Sequence, residues 1–271
     1  MSNKKCKLIA EIGWNFIGDL ILAKEMISAA KESGADYAKF QTWSTKDLKP
    51  GPWDTDGRLE LYKKAELTVD QHHELKEYCD KNEIEFLTSV FNKKYLEFLK
   101  DLKLHSIKIA SMEINNKELI SDAEKSYNQI FISTGASKIE EIEILSKTLT
   151  SEKFVFFHCV SAYPTPAVNV NLPRINYLKK IFKRVGYSGH LKGIEDAIGA
   201  LSYGPEFIEK HFTTDNNLPG RDNQFSILPS QMKTLSDYRN QLELMNTDHG
   251  LNMQPIEEEV HKNYRNRWSK A

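Results

Sequence analysis

Short apolar runs alternate with longer amphipathic stretches along the chain. Buried parallel strands are typically short continuous apolar runs, whereas helices that cover a sheet carry apolar residues three and four positions apart. Eight such pairs of a strand and a helical pattern can be counted. The predicted strands span residues 8–12, 37–40, 85–89, 106–110, 129–133, 154–158, 184–188 and 207–211.

The amphipathic stretches predict helices over residues 22–33, 69–81, 95–102, 139–149, 194–201 and 229–244. Thr68 and Ser137 stand at the start of two of them and are predicted to be N-caps, whose hydroxyl groups accept hydrogen bonds from backbone N–H groups. Gly34 follows the first helix and is predicted to adopt the left-handed conformation that commonly ends one.

Regular alternation of strands and helices is typical of a parallel sheet covered by helices. The length of 271 residues also matches the roughly 250 residues typical of an eight-stranded barrel. The predicted fold is therefore α/β, a (β/α)8 TIM barrel with eight parallel strands. We expect a single barrel domain over residues 1–271, with a charged helical tail from about residue 245 to residue 271.

Composition narrows the range of partners. The chain has 37 Lys and Arg against 38 Asp and Glu, for a net charge of -1, so no basic field favours nucleic acid. The three cysteines are odd in number and widely spaced, which argues against a disulfide framework or a thiolate zinc site and favours the cytoplasm. The apolar stretch that starts at Leu8 is interrupted by Glu11, so we expect no signal peptide and no membrane partner.

Polar residues end nearly every predicted strand. In a TIM barrel the carboxyl ends of all eight strands open onto one face, so these side chains are expected to share one pocket. Some of the serines are equally well explained as caps of the following helices. The set comprises Glu11, Lys39, Gln41, Ser89, Lys108, Ser111, Glu113, Ser133, His158, Ser161, Ser188, His190, Glu209, Lys210 and His211.

Four of these residues suggest specific chemistry. His190 and His211 are too far apart in sequence for a helical ligand pair, but neighbouring strand ends would allow them to share a divalent ion. By themselves, however, single histidines are more commonly core or capping residues than metal ligands. Lys39 and Lys108 would be costly to bury near the barrel axis without an anion. Lys210 is expected to point away from the axis, because strand residues alternate and His211 is assigned inward.

Seven ordered segments resemble the sialic acid synthase (N-acetylneuraminate synthase) family: AEIGWN, GADYAKFQT, KIASMEINN, ISTGAS, FHCVSAYPTP, VGYSGH and IEKHFTTDNNLPGRD. The resemblance covers residues 8–228, and the order of the segments is far more specific than any one of them. It implies a metal-dependent TIM-barrel transferase that joins phosphoenolpyruvate to a sugar aldehyde. The aldehyde would be an N-acylhexosamine or related aldose, and the products a sialic-acid-like 2-keto-3-deoxy sugar acid and phosphate.

The resemblance also implies roles for individual residues. His190 and His211 match the ligands of a divalent metal, Mn2+ or Mg2+. The catalytic candidates are Glu11, Glu113, Lys39 and Lys108, although Glu113 is also compatible with capping a helix or pairing with a lysine. The substrate-binding candidates are Ser89, Ser111, Ser133, Ser161, Tyr163, Ser188, Asp222, Gln41 and Asn15, and two lysines with several hydroxyls suit the phosphate and carboxylate of phosphoenolpyruvate.

The chain departs from the family pattern at four positions that we expect near the sugar. Phe16 follows Asn15 where members usually have histidine, and Gly189 precedes His190 where aspartate is common. Ser161 stands where asparagine is frequent, and Arg221 lies in a loop that often reads Gly-Pro-Asp. These departures predict an acceptor other than N-acetylmannosamine.

The resemblance covers only the catalytic barrel, whereas family members usually continue into a C-terminal antifreeze-like domain. We expect a homodimer whose acceptor site is more open, or is completed by a separate chain, by residues 43–67, or by the basic tail around Arg265 and Arg267. Two alternatives stay open: a related eight- or seven-carbon sugar acid synthase, and a non-catalytic sugar-binding barrel. Both lysines and both histidines are retained, which opposes the second alternative.

Overall fold

The computed structural model describes residues 5–268. Eight parallel strands form a closed barrel in sequence order, with the first strand paired to both the second and the eighth. The predicted TIM barrel is therefore confirmed. The strands are β1 (Lys7–Gly13), β2 (Tyr37–Thr42), β3 (Glu85–Val90), β4 (Ser106–Ile109), β5 (Gln129–Ser133), β6 (Phe154–His158), β7 (Val185–Gly189) and β8 (Phe207–His211).

Helices follow the strands on the outside of the barrel. Each of the six helices predicted above is present, with ends that differ by at most a few residues. Four more lie outside these six. The helix over residues 258–263 falls within the predicted helical tail, whereas those over residues 58–65, 117–126 and 174–181 were not predicted. Of these three, only the helix over residues 58–65 is nearly without buried apolar residues, and the other two bury two or three each. The helices are α1 (Leu20–Glu32), α2 (Arg58–Ala65), α3 (Val69–Lys81), α4 (Tyr95–Asp101), α5 (Lys117–Ser126), α6 (Ile139–Thr148), α7 (Arg174–Ile181), α8 (Glu195–Leu201), α9 (Pro229–Met245) and α10 (Glu258–Asn263).

The predicted helix ends are partly correct. Thr68 caps α3, since its side chain accepts a hydrogen bond from Gln71 N at 3.2 Å, and Gly34 adopts φ +89° after α1. The Ser137 cap is wrong. Helix α6 has Lys138 as its N-cap residue, and the Ser137 hydroxyl donates instead to the carbonyl of Gly135 at 3.1 Å.

An apolar layer fills the barrel beneath the strand ends. It is built from one cluster of buried side chains, in which the rings of Phe131 and Phe207 lie 4.8 Å apart and those of Phe131 and Phe157 lie 5.4 Å apart. Polar groups at the carboxyl ends of the strands therefore rest on an apolar floor and are open only toward the mouth of the barrel. The cluster consists of Ile9, Tyr37, Leu87, Phe131, Val155, Phe157 and Phe207.

The chain divides into two compact units, the first ending at Arg239 and the second beginning at Asn240. The first contains the barrel. In the second, a 3-10 turn at Pro255–Glu257 precedes α10. The end of the predicted charged tail, residues 269–271, lies outside the described residues, and the single-domain assignment stays a prediction. No helix within residues 5–268 has both the length and the apolar character needed to cross a bilayer.

Candidate active site

Four buried charged side chains meet at the barrel axis. Lys39 Nζ lies 2.7 Å from Glu11 Oε2 and 3.6 Å from Glu209 Oε2, and Lys108 Nζ lies 2.9 Å from the same Glu209 oxygen. The parallel register explains the assembly, because it places Glu11 opposite Lys39 on one side and opposite His211 on the other. We refer to Glu11, Lys39, Lys108 and Glu209 as the axis cluster.

Neutral side chains add hydrogen bonds to the axis cluster, although Glu11 Oε2 has only its ion pair with Lys39 among residues 5–268. Lys39 donates to Ser89 Oγ at 2.9 Å, and Ser188 Oγ donates to Glu209 Oε1 at 2.8 Å. Gln41 Nε2 donates to Glu11 Oε1 at 2.8 Å. The structure thus brings together Ser89, Ser188 and Gln41, all predicted as substrate-binding residues, with three of the predicted catalytic residues.

Burial and ion pairing shift the pKa values of the carboxyl groups of Glu11 and Glu209 in opposite directions. Burial raises the pKa of Glu11 to about 7, against the opposing influence of Lys39. Burial acts in the same direction on Glu209, but the ammonium groups of Lys108 and Lys39 outweigh it and hold the Glu209 pKa below its usual value. Glu209 is therefore a fixed carboxylate near neutral pH, whereas Glu11 is able to take up or release a proton there.

The two lysines also differ. Burial lowers the pKa of Lys108, and Glu209 opposes that shift without reversing it. Burial would lower the pKa of Lys39 too, but Glu11 and Glu209 outweigh it and raise the pKa. When Glu11 is protonated, the axis cluster holds two ammonium groups against one carboxylate, a charge balance that favours a small anion.

The two imidazoles lie side by side at the mouth, with ring centroids 5.5 Å apart. His190 Nδ1 donates to the carbonyl of Val160 at 2.7 Å, which leaves Nε2 with its lone pair in the neutral ring. His211 Nδ1 is buried and has no hydrogen-bond partner within residues 5–268. Burial lowers the pKa of His190 to about 4 and that of His211 well below its usual value, so both rings are neutral at pH 7.

Neutral imidazoles are suitable ligands for a divalent metal ion, and the buried His211 Nδ1 without a partner fits such a role. Within the described part of the chain, no group of three or more His, Cys, Asp or Glu side chains is arranged as a metal site. His190 and His211 could therefore provide two donors, and substrate or water oxygens would have to complete the coordination that Mn2+ or Mg2+ requires.

Aromatic and acidic side chains line the same mouth. The ring of Tyr163 lies 4.3 Å from that of His190, while the Tyr163 side chain remains 41% exposed. Residues 213–228 bring in Phe225, whose ring is 5.0 Å from His211, and Asp222, whose Oδ2 lies 3.8 Å from His211 Nδ1. Trp14 Nε1 donates to Asp222 at 2.9 Å, and burial raises the pKa of Asp222 to about 6.

A second group of predicted residues surrounds Gly135, shortly after the buried Ser133 at the end of β5. Gly135 N donates to Ser111 Oγ at 3.1 Å. A Cβ atom at Gly135 would lie only 2.3 Å from Ser161 Oγ, 2.7 Å from Cys159 Sγ and 2.8 Å from Ser111 Oγ. Hydroxyl groups thus converge on a backbone segment that has no room for a side chain, as expected where a ligand approaches the main chain closely.

Two predicted site residues make their contacts elsewhere. Glu113 Oε2 accepts a hydrogen bond from Asn116 Nδ2 at 2.8 Å, beside the start of α5, and no hydrogen bond or ion pair among residues 5–268 joins it to the axis cluster. Asn15 uses its amide to bind the carbonyl of Phe212 at 2.9 Å and Ser226 Oγ at 3.0 Å. Its contacts fix the segment that carries Asp222.

Two of the four departures do not face the axis cluster. Phe16 is 1% exposed and its ring packs against that of Phe40 in β2. Gly189 is buried and faces Asp196 of α8, not the barrel axis, because it alternates with Ser188. The outward orientation predicted for Lys210 is confirmed, since its ammonium group contacts Asp196 at 2.9 Å.

No role was predicted for Glu209. The sequence does indicate that it faces the barrel axis, because a residue two positions before an inward-facing His211 lies on the same face of the strand. The need for a carboxylate beside two buried lysines pointed to it as well. The contribution of Trp14 gave no comparable signal, since its contact with Asp222 depends on a loop distant in sequence.

Residues 26–250 match the NeuB family model. The chain is 36% identical over 249 residues to N,N'-diacetyllegionaminic acid synthase of Campylobacter jejuni, covering 86% of this chain and 75% of that protein. It is 32% identical over 244 residues to human N-acetylneuraminate-9-phosphate synthase, covering 85% and 68%. The chain belongs to the NeuB family of synthases, and the resemblance to sialic acid synthases predicted from its motifs is confirmed.

A solved structure agrees with this assignment. N-Acetylneuraminic acid (sialic acid) synthetase of Leptospira borgpetersenii, crystallised in complex with citrate, is 33% identical to the chain and superposes with a TM-score of 0.86. The superposition covers 98% of this chain and 94% of that one. Its similarity extends over the whole barrel rather than over isolated motifs.

Proposed function

We propose that the chain condenses phosphoenolpyruvate with a sugar aldehyde to give a nine-carbon 2-keto-3-deoxy sugar acid and phosphate. One observation carries the proposal: two buried ammonium groups and two neutral imidazoles share one mouth of the barrel. The ammonium groups match a small ligand with a phosphate and a carboxylate, and the imidazoles match a divalent metal. Membership of the NeuB family supports the same reaction class.

Phosphoenolpyruvate would bind above the axis cluster. Lys39 and Lys108 would exchange their contacts with Glu11 and Glu209 for contacts with the ligand. Hydroxyl groups would add directional hydrogen bonds, and those of Ser111 and Ser161, which converge on the Gly135 backbone, are placed to reach a phosphate group from one side. The hydroxyl donors proposed for this ligand are Ser89, Ser111, Ser133 and Ser188.

The metal would be held by His190 and His211, with Mn2+ or Mg2+ as the candidates. When bound, such an ion supplies Lewis acidity that polarises an aldehyde and stabilises the alkoxide that develops from it. The protein keeps both imidazoles neutral and fixes the His190 ring through the carbonyl of Val160. Tyr163, Asp222 and Ser161 are proposed to bind hydroxyl groups of the sugar near these rings.

In the proposed reaction, the C2=C3 double bond of phosphoenolpyruvate opens, C3 bonds to the aldehyde carbon, and the aldehyde oxygen takes up a proton from solvent. Water adds to C2, and the C2 hydroxyl then loses its proton to become the ketone as the bond between C2 and the phosphate oxygen breaks and phosphate leaves. Glu11, with a pKa of about 7, is suited to accept the proton of the attacking water. Glu113 is proposed for the acceptor side, reached by release of its hydrogen bond to Asn116.

The sugar acceptor is the finer part of the proposal. Relatives of similar identity are synthases of N,N'-diacetyllegionaminic acid, pseudaminic acid and N-acetylneuraminate 9-phosphate, so family membership leaves the acceptor open. We propose an acylated amino sugar other than N-acetylmannosamine, and a cytoplasmic homodimer as the working form. Sedimentation equilibrium would measure the oligomeric state independently of activity.

A substrate panel tests the function. Purified protein with phosphoenolpyruvate and Mn2+ should release phosphate with one aldose, and mass spectrometry of the product should show a nine-carbon acid. Lys108→Met and His211→Ala should each lower kcat/KM by at least about a hundredfold. Lys93→Met, which removes an exposed lysine on the outside, should leave it unchanged.

Several results would contradict the proposal. Absence of phosphate release with every aldose would favour a binding barrel. A seven- or eight-carbon product would favour the related sugar acid synthases. Equal preference for N-acetylmannosamine would leave the reaction standing and refute the predicted acceptor.

A further inference from the structure

A second buried ion pair lies on the outside of the barrel wall, between β8 and α8. Lys210 Nζ contacts Asp196 Oδ1 at 2.9 Å and Oδ2 at 3.0 Å. The hydroxyl group of Tyr187 donates a hydrogen bond to Asp196 Oδ2 at 2.9 Å. Lys210 and Asp196 are 2% and 3% exposed, and the axis cluster uses neither of them. We call Tyr187, Asp196 and Lys210 the outer cluster.

Burying such a pair is not favourable in itself, because the loss of hydration of both charges offsets much of their attraction. The third contact of Lys210 indicates what the pair is for. Its ammonium group also donates to the carbonyl of Leu191 at 2.8 Å, directly after His190. With one carbonyl and two carboxylate oxygens as acceptors, all three ammonium hydrogens are used.

The outer cluster therefore connects both candidate metal ligands. Lys210 precedes His211 in β8, and its hydrogen bond to Leu191 restrains the chain that leaves His190. The His190 carbonyl accepts a hydrogen bond from Thr165 N at 2.9 Å, so the backbone around this imidazole is held from two directions. Asp196 orients the lysine that makes one of these contacts.

Gly189 supplies an independent observation. A Cβ atom there would lie 2.2 Å from Asp196 Oδ2 and 2.8 Å from Tyr187 Cε1. The carboxylate from α8 thus occupies the space that a side chain at position 189 would enter. Gly189 also pairs with Lys210 in the parallel register, so a carboxylate at position 189 would arise beside the same ammonium group.

We propose that Asp196 and Lys210 are positioning residues that set the orientation of His190 and His211, and that the carboxylate of this pair can be supplied instead from position 189, with a small shift of the Tyr187 ring. The function of the two imidazoles as metal ligands rests on the proposed function. The ion pair of Asp196 with Lys210 and its effect on the orientation of His190 do not depend on the proposed function.

The experiment moves the carboxylate from α8 to β7. Four proteins are compared: the unchanged chain, Asp196→Ala, the double variant Gly189→Asp with Asp196→Ala, and Asp237→Ala. The last removes an aspartate from an exposed pair with Lys233 in α9 and is the matched control. Circular dichroism and urea unfolding establish whether each protein is folded.

Two measurements test whether Asp196 and Lys210 hold His190 and His211 in the orientation seen in the structure. The first is the affinity for Mn2+ alone, followed by electron paramagnetic resonance of the free ion. We expect Asp196→Ala to weaken it by about tenfold to a hundredfold, as for other residues that orient metal ligands, and the double variant to recover to within about threefold. The second is the NMR signal of the His190 Nδ1 proton, which its hydrogen bond to Val160 protects. It should be lost in Asp196→Ala and return in the double variant.

The outcomes separate the two proposals. Failure of the unchanged chain to bind Mn2+ would count against the proposed function, while the His190 proton would still test positioning. If Asp196→Ala does not fold, recovery of folding and of the His190 signal in the double variant supports the pairing. An unaltered His190 signal in a folded Asp196→Ala protein, or no recovery in the double variant, would overturn it.

Discussion

Gly135 is a residue at which the site tolerates little change. Its φ angle is not in the left-handed region, so the constraint is the space occupied by Ser111, Cys159 and Ser161 around it. The atoms that a new Cβ would meet are short side-chain groups near the backbone, which have little freedom to move away. A single methyl group must therefore displace the hydroxyls proposed to receive the phosphate.

Gly135→Ala should raise the KM for phosphoenolpyruvate by about tenfold or more while the protein still folds. We expect a loss of about 1–3 kcal/mol in the free energy of unfolding, typical of added volume in a packed region. Initial rates of phosphate release and urea titrations measure the two effects. Gly199→Ala is the control, because its Cβ would meet only the end of the Leu172 side chain. An unchanged KM in Gly135→Ala would show that the phosphate is bound elsewhere.

At the residue scale, strand alternation made much of the site predictable from sequence. The period of two assigned His211 inward and Lys210 outward, and the contacts of both agree. Glu209 was predictable by the same rule. Asp196 was not, because the helical period says which face of α8 is buried but not which strand residue that face will meet.

At the scale of elements, the segment of residues 213–228 is fixed to the barrel rather than free in solvent. Asn15 Nδ2 binds the carbonyl of Phe212 and Ser226 Oγ. In return, Asn223 Nδ2 donates to the carbonyl of Asn15 at 3.0 Å, and Asn223 Oδ1 accepts from Thr213 Oγ1 at 2.5 Å. These contacts carry Asp222 to the mouth, so the strength of the segment's attachment controls the position of that carboxyl group.

Asn223→Ala should loosen this attachment. Because Asn223 is fully buried and its partners would lose their hydrogen bonds, we expect about 1–3 kcal/mol lower stability. The KM for the sugar should rise more than the KM for phosphoenolpyruvate, since Asp222 is proposed on the sugar side. Steady-state kinetics with each substrate varied in turn distinguishes the two. Asn217→Ala, exposed in the same segment, should change neither, and an equal rise in both KM values would argue against the assignment.

The sequence predicted every strand and the barrel but not the contents of its longer connections. Residues 42–67 contain α2, which buries only Ala65 of its eight residues. An apolar stripe this narrow gives no usable periodicity, and tertiary contacts such as that between Tyr62 and Trp14, with ring centroids 5.3 Å apart, hold the element instead. Connections depend on long-range contacts that a local pattern does not encode.

At the scale of the whole molecule, the barrel carries polar groups into an interior that is otherwise apolar. Two features lower the free-energy cost of removing these groups from water. Lysines and carboxyl groups are buried as ion pairs, and histidines are buried as neutral rings. Burial lowers the pKa of four of them, His72, His158, His190 and His211. The folded barrel should consequently lose stability in mild acid, where the unfolded chain takes up protons that these rings resist.

His158 isolates this effect from the proposed chemistry. It is fully buried at the end of β6, donates through Nε2 to the carbonyl of Val170 at 2.9 Å, and has a pKa lowered by burial to about 4. The unfolded side chain titrates near 6.5. Between these two values the unfolded state binds more protons, so stability falls as pH is lowered from about 6.5 toward 4, and the loss is absent above about pH 7.

From pH 7.5 to pH 5, His158 alone should account for a loss of about 2 kcal/mol in the free energy of unfolding. Urea titrations at several pH values measure it. His158→Gln keeps a donor for Val170 but cannot titrate, so its stability should fall by about 2 kcal/mol less over the same range, whatever its stability at pH 7.5. His105→Gln, at an exposed position, is the control and should follow the unchanged chain. If His158→Gln and the unchanged chain lose stability in parallel, the buried ring is protonated in the folded protein and the interior around β6 is more polar than its packing indicates.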